Sequence, residues 1–351
     1  DGIRDDLVTG VQTCALPISG EFFMPCYSPL KGYKDEQTGG LTFIRKDSRE
    51  KMEVACGQCL GCRLDRSRMW ATRICHEASL SEHTRGNCFV TLTYRDEIQA
   101  TEEQKKKLQY IPFDWSLNKD HFTKFMKRLR KSREPDRIRF YQCGEYGRRC
   151  KHGFDLGRQS CPVCRLGRPH HHACLFNVSF DDLVSYRSDN GVLRYTSAEL
   201  EELWGYGFVD VGELNFETAA YVARYILKKI TGARSEDHYL SVLDDGTQFF
   251  LTPEYVTMSR RPGIGKKWFE MFKGDVFPSD VIPVPGKGVF RKVPRYYDEL
   301  FADSNPVSME QIKKLRRKFK EEHPEEYTLE KLEAKYKIKK AQVEMLKRTI
   351  G

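Results

Sequence analysis

Apolar residues recur along this chain in two rhythms, and the changes between them mark out its elements. From Leu64 to Leu80, Trp70, Ile74 and Ala78 return every four residues, which predicts a helix with one packed face. Cys88 to Tyr94 alternates and is rich in β-branched and aromatic residues, the pattern of a strand. After a polar, Lys-rich loop, Phe122, Phe125, Met126 and Leu129 fall at i, i+3, i+4 and i+7, a second helix. Its other side carries Lys119, Lys124, Lys127, Arg128, Arg130 and Lys131. Ile138 to Cys143 reads as a strand ending in the turn Gly144-Glu145-Tyr146-Gly147. Ala173, Cys174, Leu175 and Phe176, reached from a loop through Gly167 and Pro169, read as a buried strand. Then come a short helix at Ser197–Trp204, a strand at Gly207–Val211 and a helix at Phe216–Ile230. Beyond Thr231 the pattern loosens, and from about Val307 it is Lys/Glu-rich and helical, interrupted at Pro324. This order predicts an α+β fold, with the histidine-bearing strand near the middle of a sheet and helices packed on it.

Composition narrows the function classes. At 351 residues, one catalytic domain with appendages is expected. The 59 Lys and Arg outnumber the 50 acids, and a formal charge of +9 favours a polyanionic partner. No apolar run approaches the roughly 18 residues of a membrane span, so a soluble protein is expected. Twelve cysteines, several at metal-like spacings, fit a reduced cytosolic setting better than a disulfide framework.

Three constellations carry candidate chemistry. Period-2 geometry puts His170 and His172 on one face of their strand and His171 on the other. Two imidazoles side by side suit a divalent metal if a carboxylate joins them. On the Phe216–Ile230 helix, Tyr221, Tyr225 and Lys228 lie at roughly 0°, 40° and −20°. Ala219, Val222, Ala223, Ile226 and Ile230 gather on the opposite side, so the tyrosines stand outside the packing stripe. The third constellation is sulfur. Cys56, Cys59 and Cys62 form a Cys-x-x-Cys-x-x-Cys run that suits zinc with Cys26 as a fourth thiolate. It partly resembles a ferredoxin run, but Arg66 stands where the next cysteine belongs. Cys150, His152, Cys161 and Cys164 form two close pairs that suit a tetrahedral structural zinc. The arginines of Ser259-Arg-Arg-Pro-Gly263 either hold DNA or cap a turn.

Five stretches together resemble the HUH endonuclease superfamily, and within it the rolling-circle replication initiators of gokushovirus-like microviruses. They are Phe89–Tyr94, Cys143–Gly147, the paired histidines, the paired tyrosines and Met258–Gly265, in family order. The resemblance runs from Met24 to about Tyr297. It implies antiparallel strand pairing, and that Glu145 completes a Mg²⁺ or Mn²⁺ site with His170 and His172. It implies that Tyr221 and Tyr225 nick single-stranded DNA at a phage origin through a 5′-phosphotyrosine, and that Lys228 assists them. The site of action it implies is the host bacterial cytoplasm, with host helicase and polymerase as partners. No Gly-Lys-Ser nucleotide loop is present to power unwinding. In many relatives the Gly-Glu-Tyr-Gly stretch runs almost directly into the histidines; here 148–166 intervenes. The rival readings are a zinc-containing nucleic-acid-binding protein without covalent chemistry and a metal-dependent hydrolytic nuclease.

The expected organisation follows. Residues 1–23 read as a translated sequencing adapter, on the stretch Val8–Ser19. Residues 24–85 form a Cys-containing segment and helix, and 86–232 the nicking domain with its 148–166 insert. An accessory region, 233–300, precedes a basic helical tail, 301–351.

Overall fold

The computed structural model describes residues 26–37, 39–46, 49–95, 115–147, 150, 154–156, 166–187, 193–224, 234–242 and 246–347. Residues 1–25, His152, Cys161, Cys164, Tyr225 and Lys228 therefore lie outside the described residues, and so do the expectations that rest on them. The chain divides into two units, Arg63–Lys314 and a smaller one of Asp1–Cys62 with Leu315–Gly351.

In the smaller unit, β1 (Leu30–Lys34), β2 (Leu41–Thr42) and β3 (Lys51–Val54) form an antiparallel sheet in the order β2-β1-β3. Its C-terminal part holds the helix Leu329–Lys347, preceded by a 3₁₀ turn at Pro324–Tyr327, where the sequence pattern breaks. Pro324 stands at the first position of that turn, where its missing N–H costs nothing.

The larger unit is built on a seven-stranded sheet. Its strands are β4 (Asn87–Thr93), β5 (Arg139–Tyr146), β6 (Pro169–Phe176), β7 (Val184–Arg187), β8 (Leu193–Thr196), β9 (Val209–Glu213) and, after the small β10 (Leu240–Val242) and β11 (Gln248–Phe250) pair, β12 (Tyr255–Met258). The order is β12-β5-β6-β4-β9-β8-β7, and every pair is antiparallel. A hairpin of β13 (Ile282–Val284) and β14 (Gly288–Phe290) lies apart from it. The fold is α+β, and the histidine strand is third of seven.

Alternation along the strands sends their side chains to two different layers. Val90, Leu92, Ala173 and Leu175 meet Phe122, Phe125, Met126 and Leu129 of the Lys119–Ser132 helix, together with Leu200 and Trp204 of the Ala198–Trp204 helix. The cationic side of Lys119–Ser132 faces solvent, as its periodicity requires. Both helices are capped: Asn118 accepts from the Asp120 N–H, and Ser197, read from sequence as helical, accepts from the Leu200 N–H as N-cap. The opposite sheet layer receives the Leu60–Ala78 helix, whose Trp70 ring lies 5.0 Å from Tyr141, and the Phe216–Arg224 helix.

Two departures from the sequence pattern matter for the site. Gly144, Glu145 and Tyr146 continue β5 and do not form a turn. β12, drawn from the stretch that reads as an accessory region, pairs with β5 as an edge strand of the same sheet. The segment after β12 is then bound down: Arg73 donates to the Ile264 carbonyl, Arg139 to the Pro262 carbonyl, and the Gly265 N–H donates to Glu77 at 2.7 Å. Glu77 is itself ion-paired with Arg139 at 2.7 Å, both buried. Among the described residues no helix is long and apolar enough to cross a membrane.

One buried histidine makes stability pH-dependent. His76 stacks on Trp268 at 3.5 Å, and one ring nitrogen faces the Pro283 carbonyl at 2.8 Å, so that nitrogen must be a donor. The other lies 3.0 Å from the Tyr297 hydroxyl. Burial pushes its pKa down to about 4, against a smaller upward pull from Pro283. The folded chain then refuses a proton that the unfolded chain accepts near pH 6.5, so stability is lost as pH falls from there toward about 4. Urea midpoints should fall between pH 7.5 and 5.0, and the fall should be shallower in His76→Phe. Equal slopes in the two proteins would remove His76 from the pH response.

Candidate active site

Strand register builds the candidate site. Glu145 on β5 pairs directly with His170 on β6, and Cys143 with His172; on the other flank Thr91 of β4 pairs with His172. Directly opposed residues project to the same face, so two histidines, one carboxylate and one hydroxyl meet there. One carboxylate oxygen of Glu145 lies 3.2 Å from His170 Nε2 and 3.0 Å from His172 Nε2. Glu145 and His172 are buried, and His170 is partly open.

The outer nitrogens are also committed. His170 Nδ1 lies 3.1 Å from the Arg168 carbonyl oxygen, which can only accept, so Nδ1 carries the proton. In the neutral ring Nε2 is then a bare lone pair aimed at a carboxylate oxygen. Two acceptors in that position need a proton or a cation between them. His172 Nδ1 lies 3.0 Å from Thr91 Oγ1, which fixes the second ring. Burial alone would raise the Glu145 carboxyl, but with protons on the facing nitrogens, hydrogen bonds and charge from His170 and His172 outweigh it and hold it well below the ordinary range.

These donors suit a divalent cation. The ligand atoms of all three residues lie within 4.8 Å of one another. Adjacent ligands at about 2.1 Å on an octahedral ion are about 3.0 Å apart, close to the 3.2 and 3.0 Å that separate the Glu145 oxygen from the two imidazoles. One carboxylate and two imidazoles are borderline-hard donors, and a partly open His170 leaves room for outside ligands.

The residues around the site explain the Gly-Glu-Tyr-Gly stretch. A Cβ on Gly144 would sit 2.8 Å from the Tyr255 ring, and one on Gly147 would sit 3.1 Å from His170. The Tyr146 hydroxyl donates to the Thr252 carbonyl at 2.9 Å and accepts from the Leu117 N–H at 3.0 Å. His171, on the other face, is fully buried and kept neutral, its pKa driven far down by burial and by His170. It bridges Gln142 at 3.1 Å and the Tyr94 hydroxyl at 3.1 Å, and Tyr94 continues to His121 at 2.9 Å. That network locks β6 from behind.

Of the two tyrosines, Tyr221 is described. Its ring meets His172 edge-on with centroids 5.2 Å apart, and Phe89, stacked 5.8 Å from His172, also touches it. Phe216, Ala219, Val222 and Ala223 are the buried residues of that helix, so Tyr221 sits off the packing stripe. Cys150 is buried; His152, Cys161 and Cys164, its three proposed partners, fall outside the described residues. Cys26, Cys56, Cys59 and Cys62 converge in the smaller unit, again within 4.8 Å. Sequence reasoning missed Thr91 and Phe89 as supports of His172; their period-2 spacing on a strand was the available signal.

A family model for the replication-associated protein ORF2/G2P matches residues 162–230, which span the histidine strand and the Tyr221 helix. The replication-associated protein VP4 of Bdellovibrio phage phiMH2K is 29% identical over 304 residues, covering 85% of this chain and 84% of that protein. The replication-associated protein ORF2 of Spiroplasma virus 4 is 33% identical over 251 residues, covering 70% of this chain and 66% of that protein. The chain belongs to the replication-associated protein family. A shorter match, 31% over 187 residues, joins it to the replication-associated protein ORF4 of Chlamydia phage 1, covering half of this chain and 38% of that protein. No solved structure matches. Family membership is thus carried by sequence, while the juxtaposition of Glu145, His170, His172 and Tyr221 comes from the fold.

Removing a ligand should act differently from removing its support. Calorimetric titration with Mn²⁺ should show no binding in Glu145→Gln or His170→Ala. Thr91→Val, which frees the outer nitrogen of His172, should weaken binding by about 10- to 100-fold. Tyr221→Phe should bind as the unaltered protein does. Undiminished binding in Glu145→Gln would dismiss the triad as the cation site.

Proposed function

We propose that this chain is a replication initiator that nicks and rejoins single-stranded DNA at a phage origin through a 5′-phosphotyrosine. The observation that carries the reading is a phenol ring packed against a two-histidine, one-carboxylate cluster. With a divalent cation held by Glu145, His170 and His172, negative charge on the scissile phosphate would be neutralised. Buried and ionised, Glu145 supplies the charge that retains such a cation, and the Arg168 carbonyl and Thr91 hydroxyl keep both imidazoles turned inward.

The covalent step uses the tyrosine oxygen. It forms a bond to phosphorus while the bond to the 3′ oxygen breaks; the phenol loses its proton and the leaving oxygen gains one. Phosphate at the new 5′ end stays on the protein, and a free 3′-hydroxyl is left for a polymerase. Rejoining reverses this: a 3′-hydroxyl displaces the tyrosine, and because one phosphoester replaces another, no ATP is needed. A free phenol with a pKa near 10 is a weak nucleophile at neutral pH, so charge neutralisation at the phosphate matters most. Tyr225 is proposed as the alternate nucleophile for termination, with Lys228 assisting. Host helicase and polymerase would supply unwinding and synthesis in the bacterial cytoplasm.

A route for DNA is suggested by charge. Arg130, Arg137, Arg139, Arg260 and Arg261 line a cleft of about 500 Å³, against two acids, Glu134 and Asp136. Arg260 and Arg261 are exposed there. Replacing both with Ala should weaken single-stranded DNA binding and flatten its log-log salt slope by about 1.4, two phosphate contacts at about 0.7 each. An unchanged slope would take those arginines out of DNA contact.

The nucleophiles are tested by denaturing gels with an origin oligonucleotide labelled at its 3′ end, so that the label stays with the fragment held by the protein. Tyr221→Phe and Tyr225→Phe should each retain some covalent adduct yet fail to release circular product, and the double variant should form no adduct. Cleavage without any adduct in the unaltered protein would indicate hydrolysis and end the proposal.

A further inference from the structure

The smaller unit is held by something other than a hydrophobic core. Among its described residues, Leu332 is the single buried apolar side chain; none lies between Cys26 and Cys62. Phe43 and Ile44 there are 71% and 66% exposed. A three-stranded sheet with so little burial needs another source of order, and in small units that is usually a cross-link or a metal.

What gathers instead is sulfur. β1 and β3 pair with Leu30 opposite Val54, which brings the chain before β1 back to the chain after β3. Cys26 therefore meets Cys56 and Cys59, and the first turn of the Leu60–Ala78 helix adds Cys62. All four sulfurs lie within 4.8 Å of one another, and Cys26 and Cys59 are 3.8 Å apart. A tetrahedron with metal–sulfur bonds of about 2.3 Å has sulfur–sulfur edges of about 3.8 Å.

The backbone is arranged for thiolates. The Cys56 N–H donates to Cys26 Sγ at 3.2 Å and the Tyr27 N–H to Cys59 Sγ at 3.3 Å. Cys56 Sγ accepts from the N–H groups of Gln58 at 3.4 Å and Cys59 at 3.3 Å. Gly57, at φ 72°, makes the tight Cys-x-x-Cys turn that aims them inward. Hydrogen bonds of this kind favour charged sulfur, and four adjacent charges require a cation. A disulfide would use two sulfurs and leave two unexplained; all four are free thiols.

We propose that Cys26, Cys56, Cys59 and Cys62 form a structural zinc centre that orders the smaller unit. Four thiolates with no open position leave the ion no catalytic vacancy, which separates this centre from the Glu145 site.

The test is elemental analysis of the full chain purified under reducing conditions, beside the double variant Cys56→Ser/Cys59→Ser and the control Cys75→Ser. The double variant should lose one zinc per chain, whatever the 148–166 insert binds, and the control none. Unchanged zinc in the double variant, or iron in place of zinc in the unaltered protein, overturns the proposal. Should the double variant fail to fold, cobalt exchange decides. In a Cys161→Ser/Cys164→Ser background, Co²⁺ should give sulfur-to-cobalt charge transfer and intense tetrahedral visible bands. Their absence there overturns the proposal as well.

Discussion

The candidate site depends on one constraint, the register of β5 and β4 against β6. Glu145 opposite His170, and Thr91 opposite His172, is what turns three separate strands into one donor set. A slip by one residue would send His170 and His172 into the apolar layer and expose His171 in their place. That slip is opposed from behind. His171 is bound on both ring nitrogens by Gln142 and Tyr94, while Ala173 and Leu175 fill the core beneath the Lys119–Ser132 helix. Removing the wrong partner here would strand a buried polar group, a cost of about 1–3 kcal/mol that alternative registers must bear.

This arrangement makes a buried, ionised carboxylate tolerable. A lone carboxylate at the depth of Glu145 would cost several kcal/mol to desolvate. Two imidazoles offset part of that, and a divalent cation would offset more. The same demand appears in the smaller unit in another chemical form, where soft thiols gather and the described residues bury a single apolar side chain, Leu332. Hard and soft donors are thus segregated, which favours different ions at the two places.

Much of this was legible locally. Period two is enough to put His170 and His172 on one face, and the helical period is enough to set Tyr221 apart from Ala219, Val222 and Ala223. The four residues Phe122, Phe125, Met126 and Leu129 declared their helix and its buried side. Glu145 was harder. Its flanking glycines look like a turn, yet Gly144 is demanded by the Tyr255 ring, more than a hundred residues away, and Gly147 by His170. Nothing in the local pattern reveals such steric demands, nor the pairing of β12 with β5 that brings Tyr255 there. Period two places Thr91 and Phe89 on one strand face, but their roles toward His172 exist only once β4 lies beside β6.

The most direct measurement is anomalous diffraction at the manganese edge from crystals grown with Mn²⁺. The predicted result is a strong peak bonded to a Glu145 carboxylate oxygen and to Nε2 of His170 and His172, each at about 2.1–2.3 Å, with the Tyr221 ring alongside. Manganese bound elsewhere, or no peak at saturating Mn²⁺ with Glu145 still hydrogen-bonded to both histidines, would contradict it.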